Sequence, residues 1–214
     1  FVENALSRLE TKAGAYFNKF ENDYTLINNK SFLSILFLFM RTLSIRTMSF
    51  RNGLENIAEQ TTSWLKSLNI EEVRNYPLDM DPKDIAKINQ LREITSLART
   101  YDKSIKVFNN YNFYVGINNT KLDFLISDNP LLNFFLESND ICFPINPRLA
   151  IIMQARDVNL EPDKKSIINL SEKEVMKYNI LQHNTNARYL FGSEEMLKNY
   201  KEKLQFIKSI TRVC

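Results

Sequence analysis

The hydrophobic pattern of this 214-residue chain changes its period near Asn109, and that change limits the folds available to it. Before this point, apolar residues recur at steps of three and four, which is the spacing of amphipathic helices. After it, short aromatic and β-branched runs alternate with turn residues, which is typical of strands. We therefore predict an α+β fold with a predominantly helical N-terminal half, a small antiparallel sheet of about four or five strands in the middle, and two C-terminal helices.

Four helices are predicted in the first half. Ser31 is the expected cap of the second helix, Gly53 the break before the third, and Asp81 the cap of the fourth, with Pro82 at its first helical position. The run Phe32–Met40 is apolar almost all round but has about half the ~20 residues that a membrane span needs, so it predicts a buried core helix and no membrane span. The predicted helices cover residues 2–21, 31–50, 54–68 and 82–107.

The second half is predicted to begin with a hairpin. Two apolar runs flank the turn signal Asn118-Asn119, and a proline-containing corner, residues 144–147, joins two further runs. Ser171 and Glu174 form a capping box that opens a helix ending near His183, and Ser193 caps the last helix. The predicted strands cover residues 111–117, 122–126, 141–145, 149–154 and 188–191, and the last helix covers 194–210. We expect residues 1–214 to form a single domain, in which helical residues 1–108 and mixed α/β residues 109–214 share one core.

Residue counts exclude several kinds of site. His183 is the one histidine, so a three-histidine zinc site within the chain is impossible. The two cysteines, Cys142 and Cys214, are too far apart for a Cys-x-x-Cys motif, and Cys142 is expected to be inert core. The four glycines are too scattered for a Walker A loop or a dinucleotide fingerprint. A net charge of +3 gives only a weak signal for a nucleic-acid binder.

Two glutamates of the first helix are candidate site residues. Glu3 and Glu10 are seven residues apart and lie on one line at the edge of the apolar stripe. Half-buried carboxylates need a cation, a metal ion or a hydrogen-bond donor, whereas boundary glutamates with exposed heads need none. Gly14 follows one turn after Glu10 and is a candidate for close backbone approach.

Arg41 of the second predicted helix has apolar neighbours at helical spacing, so its guanidinium must reach solvent or meet an acid. Two readings stay open, a structural ion pair and a clamp for a carboxylate or phosphate.

The run Ser127-Asp128-Asn129-Pro130 is the third candidate, because a strand that ends in Asp can present a carboxylate at a sheet edge. The same residues also form turns through local hydrogen bonds, so turn formation is the alternative. The polar stretch from His183 to Arg188 follows a predicted helix, and Arg188 is the candidate anion-binding residue there.

Four stretches resemble the bacterial family catalogued as domain of unknown function 4238. They are the acidic helix from Glu3 to Glu10, Arg41-Thr42 at the end of an apolar helix, Ser127–Leu131, and the corner from Phe143 to Ala150. The stretch from Asn184 to Arg188 also fits, so the resemblance spans nearly the whole chain. It implies a cytoplasmic bacterial protein and carries no activity over to this chain. Family members begin with a His-x-x-Pro segment that we expect this chain to lack.

The candidates permit two main functions. In the first, Glu3, Glu10, Arg41, Asp128, Asn129 and Arg188 are catalytic residues of a hydrolase, such as a metal-dependent nuclease or phosphohydrolase of phage defence or a toxin system. Glu10 and Asp128 would then bind Mg²⁺ or Mn²⁺, and the substrate would be a nucleic acid or another phosphorylated molecule. In the second, the same residues form a structural network in a non-catalytic module that binds a protein partner or regulates it. Whether the chain is an enzyme stays open at this point.

Overall fold

The computed structural model describes residues 2–68, 80–108, 111–131, 140–155, 167–185 and 188–198. Spatial contacts divide the chain into two compact units. We call residues 1–15 and 30–108 the helical unit, and residues 16–29 and 109–214 the α/β unit. A single core shared by the whole chain stays a prediction, and the mixture of helices with a small sheet confirms the α+β class.

The helical unit is built from helices that the sequence pattern largely predicts, and those that the structure describes are α1 (Val2–Phe20), α2 (Lys30–Arg46), α3 (Met48–Ser67) and α4 (Pro82–Phe108). The first helix, α1, starts in this unit, and its residues from Tyr16 onward belong to the α/β unit, together with a short 3₁₀ helix, Tyr24–Asn28. The start of α4 is as predicted, since the Asp81 carboxylate accepts from the Lys83 backbone N–H at 2.8 Å.

The boundary between α2 and α3 lies earlier than predicted. The sequence suggested one helix to about Phe50 and a break at Gly53, but the chain breaks at Thr47 and Gly53 lies inside α3. Thr47 is extended, and its hydroxyl accepts from the Phe50 backbone N–H at 3.1 Å, so it is the N-cap of α3. A side-chain cap provides a hydrogen bond at a helix start, whereas a glycine inside a helix costs only about 1 kcal/mol and need not end it.

The apolar start of α2 is core, as predicted. Phe32, Leu36, Phe37 and Met40 are all buried. Among the described helices, none is by itself long and apolar enough to cross a membrane; α2 and α3 reach that length and apolar content only when combined across their 58° bend.

The main sheet of the α/β unit contains β1 (Tyr111–Ile117), β3 (Asp140–Asn146), β4 (Leu149–Ala155) and β5 (Ile167–Asn169), in the strand order β3-β4-β1-β5. The strands β3 and β4, which the proline corner joins as predicted, pair antiparallel, and β1 lies antiparallel to β4 on its other side. The edge strand β5 was not predicted and pairs parallel with β1, so the sheet is mixed and not purely antiparallel. A separate two-stranded sheet joins β2 (Ile126–Ser127) to β6 (Leu190–Phe191).

The hairpin predicted around Asn118-Asn119 is wrong. Residues that follow β1 do not return along it; they run to β2, which pairs with β6. The Asn118 side chain is buried and donates to the carbonyl oxygens of Leu122 and Pro147, at 2.5 and 3.1 Å. These bonds fold the chain into a loop, so the asparagine that signalled a tight turn instead serves as an anchor.

The helix α5 (Glu172–Thr185) begins with the predicted capping box. Glu174 accepts from the Ser171 backbone N–H at 2.7 Å, and the Ser171 hydroxyl also donates to it at 2.6 Å. These bonds to Ser171, first from its side chain and then from its backbone, hold the pKa of Glu174 below its ordinary value. The helix after Ser193 is described over residues 194–198, and the remainder of the predicted helix lies outside the described residues.

One face of the main sheet packs against α5. Val175 and Tyr178 of α5 are buried with Cys142 and Ile152 of the sheet, so the expectation that Cys142 lies in the core is confirmed, and its inertness stays a prediction. A second cluster, of Leu125 and Met196, lies under the small sheet, with Leu190 packed against it. Burial of these side chains fixes α5 and the small sheet within one unit.

Candidate functional site

Glu10 of the helical unit forms an ion pair, and Glu3 lies in the first turn of α1. The Arg46 guanidinium of α2 donates to the Glu10 carboxylate at 2.7 Å, and both side chains are about half exposed, at 43% and 49%. Glu3 is exposed, and its charge suits the positive end of the helix dipole. Both glutamates therefore fit the boundary interpretation. Gly14 is not a point of close backbone approach, because a methyl group there would meet no described atom within 4 Å.

Arg41 also finds an acid within the helical unit. Its guanidinium lies 3.5 Å from the Glu93 carboxylate of α4, and 27% of its side chain is exposed. The bond links α2 to α4, which corresponds to the interpretation of this residue as part of a structural ion pair.

Nearby, the buried side chain of Gln90 donates to the Ile45 carbonyl and accepts from Arg51, both at 2.7 Å. Gln90 thereby ties the end of α2 to α3 and α4.

An apolar groove of about 280 Å³ lies between α3 and α4 of the helical unit. Its walls include Leu54, Ala58 and Ile85, and Ile57 and Ile88 at its margin are more than half exposed. None of the six predicted site residues lines it. The groove thus offers an apolar surface, whereas the predicted chemistry requires charged groups.

The Asp128 turn in the α/β unit, which we define as residues 127–130, is held by one buried side chain of α5. Gln182 has no exposed surface, and its carbonyl oxygen accepts from both the backbone N–H and the hydroxyl of Ser127, at 2.9 and 2.6 Å. Its amide nitrogen donates to the Pro130 carbonyl at 3.0 Å. Ser127 in turn accepts from the Asn129 backbone N–H at 3.2 Å. The turn is therefore fixed at both ends, while Asp128 and Asn129 remain half-buried at its tip.

Asn179 holds the chain just before this turn in the same manner. It is completely buried, accepts from the Leu125 backbone N–H at 2.8 Å, and donates to the Asp123 carbonyl at 2.8 Å. Asn179 and Gln182 are three residues apart and so lie on one face of α5. Each amide donates through its nitrogen and accepts through its oxygen, as the backbone of a neighbouring strand would, so α5 substitutes for a strand along residues 123–130.

The small sheet brings Arg188 to the Asp128 turn. Ile126 lies opposite Phe191 and Ser127 opposite Leu190. The Asp128 N–H continues this register by donating to the Tyr189 carbonyl at 3.1 Å, and Arg188 directly precedes Tyr189. Three of the six predicted site residues thus lie at one end of the small sheet.

The carboxylate of Asp123 stabilises the loop before β2 from another direction. It pairs with Arg148 at 2.8 Å and accepts from the Ser193 hydroxyl at 3.0 Å. Sequence reasoning missed this residue and the two amides of α5. The sequence did contain a signal for the burial of the two amides, because the helical spacing puts Asn179 and Gln182 on the same face as the buried residue Val175.

Within the described ranges, no three His, Cys, Asp or Glu side chains come together in an arrangement that could hold a metal ion. Metal binding by Glu10 and Asp128 stays a prediction. Of these two residues, Glu10 already has Arg46 as its cation, and Asp128 shares its turn with the amide side chain of Asn129.

The chain was compared with known proteins, solved structures and protein families. No curated protein and no solved structure matches it. A family model described as protein of unknown function (DUF4238) matches residues 1–196, which is most of the chain, and the protein therefore belongs to the DUF4238 family.

Proposed function

We propose that the protein is a hydrolase of phosphorylated substrates and that its active site is at the end of the small sheet, around Asp128, Asn129 and Arg188. The observation that carries the proposal is the hydrogen bond from the Asp128 N–H to the Tyr189 carbonyl. This bond extends the β2–β6 ladder, so the backbone of Asp128 lies beside the segment that carries the arginine, which supports the proposal. Buried Gln182 supports the proposal further, because catalysis needs groups held in a fixed geometry.

The three residues have separable roles in this proposal. Water attacks the phosphorus atom while Asp128 takes its proton as a general base, the ester P–O bond breaks, and the leaving oxygen takes a proton from solvent. Arg188 binds the phosphate and stabilises the charge that develops on its oxygens, for which a planar guanidinium is well suited. The Asn129 side chain orients the substrate by hydrogen bonding. Glu3, Glu10 and Arg41 have no catalytic role here, since the contacts of Glu10 and Arg41 are helix-to-helix ion pairs.

The test is a hydrolysis assay on the full chain with phosphate monoesters, phosphodiesters and single- and double-stranded nucleic acids, each with and without Mg²⁺ or Mn²⁺. We expect Asp128→Asn to lower kcat by at least about 100-fold, which is the usual contribution of a general base. Arg188→Lys keeps the charge but loses the planar fork, so it should raise KM or lower kcat by a smaller factor.

Glu10→Gln is the matched control, because it also removes one partly exposed carboxylate and leaves the proposed site intact. Absence of hydrolysis on every substrate would overturn the proposal. So would an activity that Asp128→Asn leaves unchanged, or one that Glu10→Gln lowers equally. If hydrolysis occurs with Mg²⁺ or Mn²⁺ and not without them, the reaction is metal-dependent.

The second candidate is a non-catalytic module that binds or regulates a protein partner. The pairing of Arg41 with Glu93 and of Glu10 with Arg46 favours it, because these charges then serve the helix packing and not a substrate. The same assay distinguishes the two: a module of this kind shows no turnover, and its Asp128 and Arg188 variants change stability alone.

A further inference from the structure

The helical unit exposes a continuous apolar surface on α3 and α4, which we call the α3–α4 face. Of the eight large apolar side chains that are exposed among the described residues, five lie here. Ile57, Met80 and Ile88 line the groove between the two helices, so the face is continuous across it. Trp64 lies two turns after Ile57 and Leu91 one turn after Ile88, which extends the face along each helix. Continuous exposed apolar surfaces of this kind mark sites of association.

The charges on the exposed side of α4 are arranged symmetrically about Ile88. Asp84 lies four residues before Ile88 and Arg92 four residues after it, so the three side chains form one row on the helix surface. Both charged residues are exposed. Lys87 binds one oxygen of the Asp84 carboxylate at 2.9 Å, and no acid among the described residues pairs with Arg92. The row therefore has a negative end, an apolar middle and a positive end.

Such a row is complementary to its own copy. When two identical rows lie side by side in opposite directions, a two-fold axis passes between the two Ile88 side chains. Each Asp84 then lies opposite the Arg92 of the other copy. Rows of residues four apart are also the ridges through which helices most often pack. Two rows that run in the same direction would bring like charges together, which disfavours that arrangement.

We propose that the protein is a homodimer in which the α3–α4 faces of two copies pack against each other around this two-fold axis. The two Ile88 side chains meet at the axis, and two ion pairs between Asp84 and Arg92 flank them. Ile57 and Trp64 of each copy lose their contact with water, and this burial of apolar area supplies the affinity. The ion pairs are at the rim, where charges contribute little affinity and instead determine the partner and its orientation.

The experiment is sedimentation equilibrium of the full chain over a series of concentrations. We expect a dimer, with twice the mass of the chain. Asp84→Arg and Arg92→Asp each place like charges opposite each other at both ends of the row, so each should raise the Kd of the dimer by about 10-fold or more. Glu194→Arg is the matched control, because it reverses an exposed acid that pairs with Lys198 outside this face, and it should leave the Kd unchanged.

An equal mixture of the two variants tests the orientation of the copies. The row of Asp84→Arg is positive at both ends and that of Arg92→Asp is negative at both ends, so the two variants should form a heterodimer more tightly than either forms a homodimer. Misfolded chains would not recover association in this way. A wild-type chain that stays monomeric at every concentration would overturn the inference and leave the face to a different partner. A dimer that neither variant weakens, or weakened variants that fail to associate when mixed, would overturn it as well.

Discussion

Polar side chains in the two units perform different tasks, although the sequence pattern makes them look alike. In the helical unit, Arg41 and Glu10 lie near the apolar faces of their helices and meet opposite charges on neighbouring helices, partly in solvent. In the α/β unit, Asn179 and Gln182 are completely buried and bind the main chain. A charge at the edge of a core can be satisfied by another side chain, but an irregular backbone inside a core needs neutral partners of fixed geometry. The second arrangement is the one that can hold a site.

The largest expected effect is the loss of stability when a buried glutamine is replaced, and it should differ between Gln182 and Gln90. Gln182→Ala would leave the Ser127 N–H and the Pro130 carbonyl without their partners, so we expect the free energy of unfolding to fall by about 2–4 kcal/mol. Chemical denaturation of the purified variant measures this value. The substitution should also lower any hydrolytic activity, because the Asp128 turn would lose its fixed geometry.

Gln90→Ala is the matched change in the helical unit, where the amide binds the Ile45 carbonyl and Arg51. We expect a smaller loss of about 1–2 kcal/mol, because the exposed Arg51 can turn to solvent. Activity should be unchanged. An equal or larger loss for Gln90→Ala, or a lower activity, would contradict the distinction between the two units.

How far the sequence predicts this molecule depends on whether the signal is local. The Ser171–Glu174 capping box and the Asp81 cap could be predicted because each bond joins residues two or three positions apart. The pairing of β1 with β4 could not be predicted, because β4 lies about forty residues further along the chain and pairing at that distance leaves no local pattern. Asn118 led to a wrong prediction of a hairpin turn, because its side chain donates to the carbonyl of Pro147, 29 residues away.

The same reason explains which residues of the proposed site could be recognised as candidates from the sequence. Asp128, Asn129 and Arg188 were recognisable as polar residues at strand ends, although their proximity depends on the pairing of β2 with β6. Gln182 was not recognised, because an amide on a helix is usually solvated and its burial depends on a segment more than fifty residues earlier. Local chemistry thus identifies candidate residues, and long-range contacts decide which of them act together.

Glycine substitutions give the next largest difference between the units. Gly192 follows β6, and a methyl group there would collide with the side chain of Leu125, which is itself completely buried and cannot move freely. We expect Gly192→Ala to lower the free energy of unfolding by about 1–3 kcal/mol through overpacking. Gly53 lies inside α3 with nothing within 4 Å of such a methyl group, so Gly53→Ala should raise the stability by about 0.5–1 kcal/mol. Thermal or chemical unfolding measures both, and effects of the same sign would be inconsistent with this packing.

The smallest expected effect tests the ion pairs themselves. A double-mutant cycle on Glu10→Gln and Arg46→Gln should give a coupling of about 0.2–1 kcal/mol at low salt, because both side chains are about half exposed. At about 1 M salt the coupling should nearly vanish, since screening is strong between exposed charges.

The comparison pair is Asp123 and Arg148 in the α/β unit, where only 19% of the Asp123 side chain is exposed and the Ser193 hydroxyl also donates to it. Less solvent around one partner means less screening, so this coupling should be larger and should survive salt better. If the Glu10–Arg46 coupling proved the larger and more salt-resistant of the two, Glu10 would be held in a much less solvated setting than its exposure implies. Its interpretation as a boundary glutamate would then be wrong, and its role in a polar site would have to be tested directly by substrate hydrolysis.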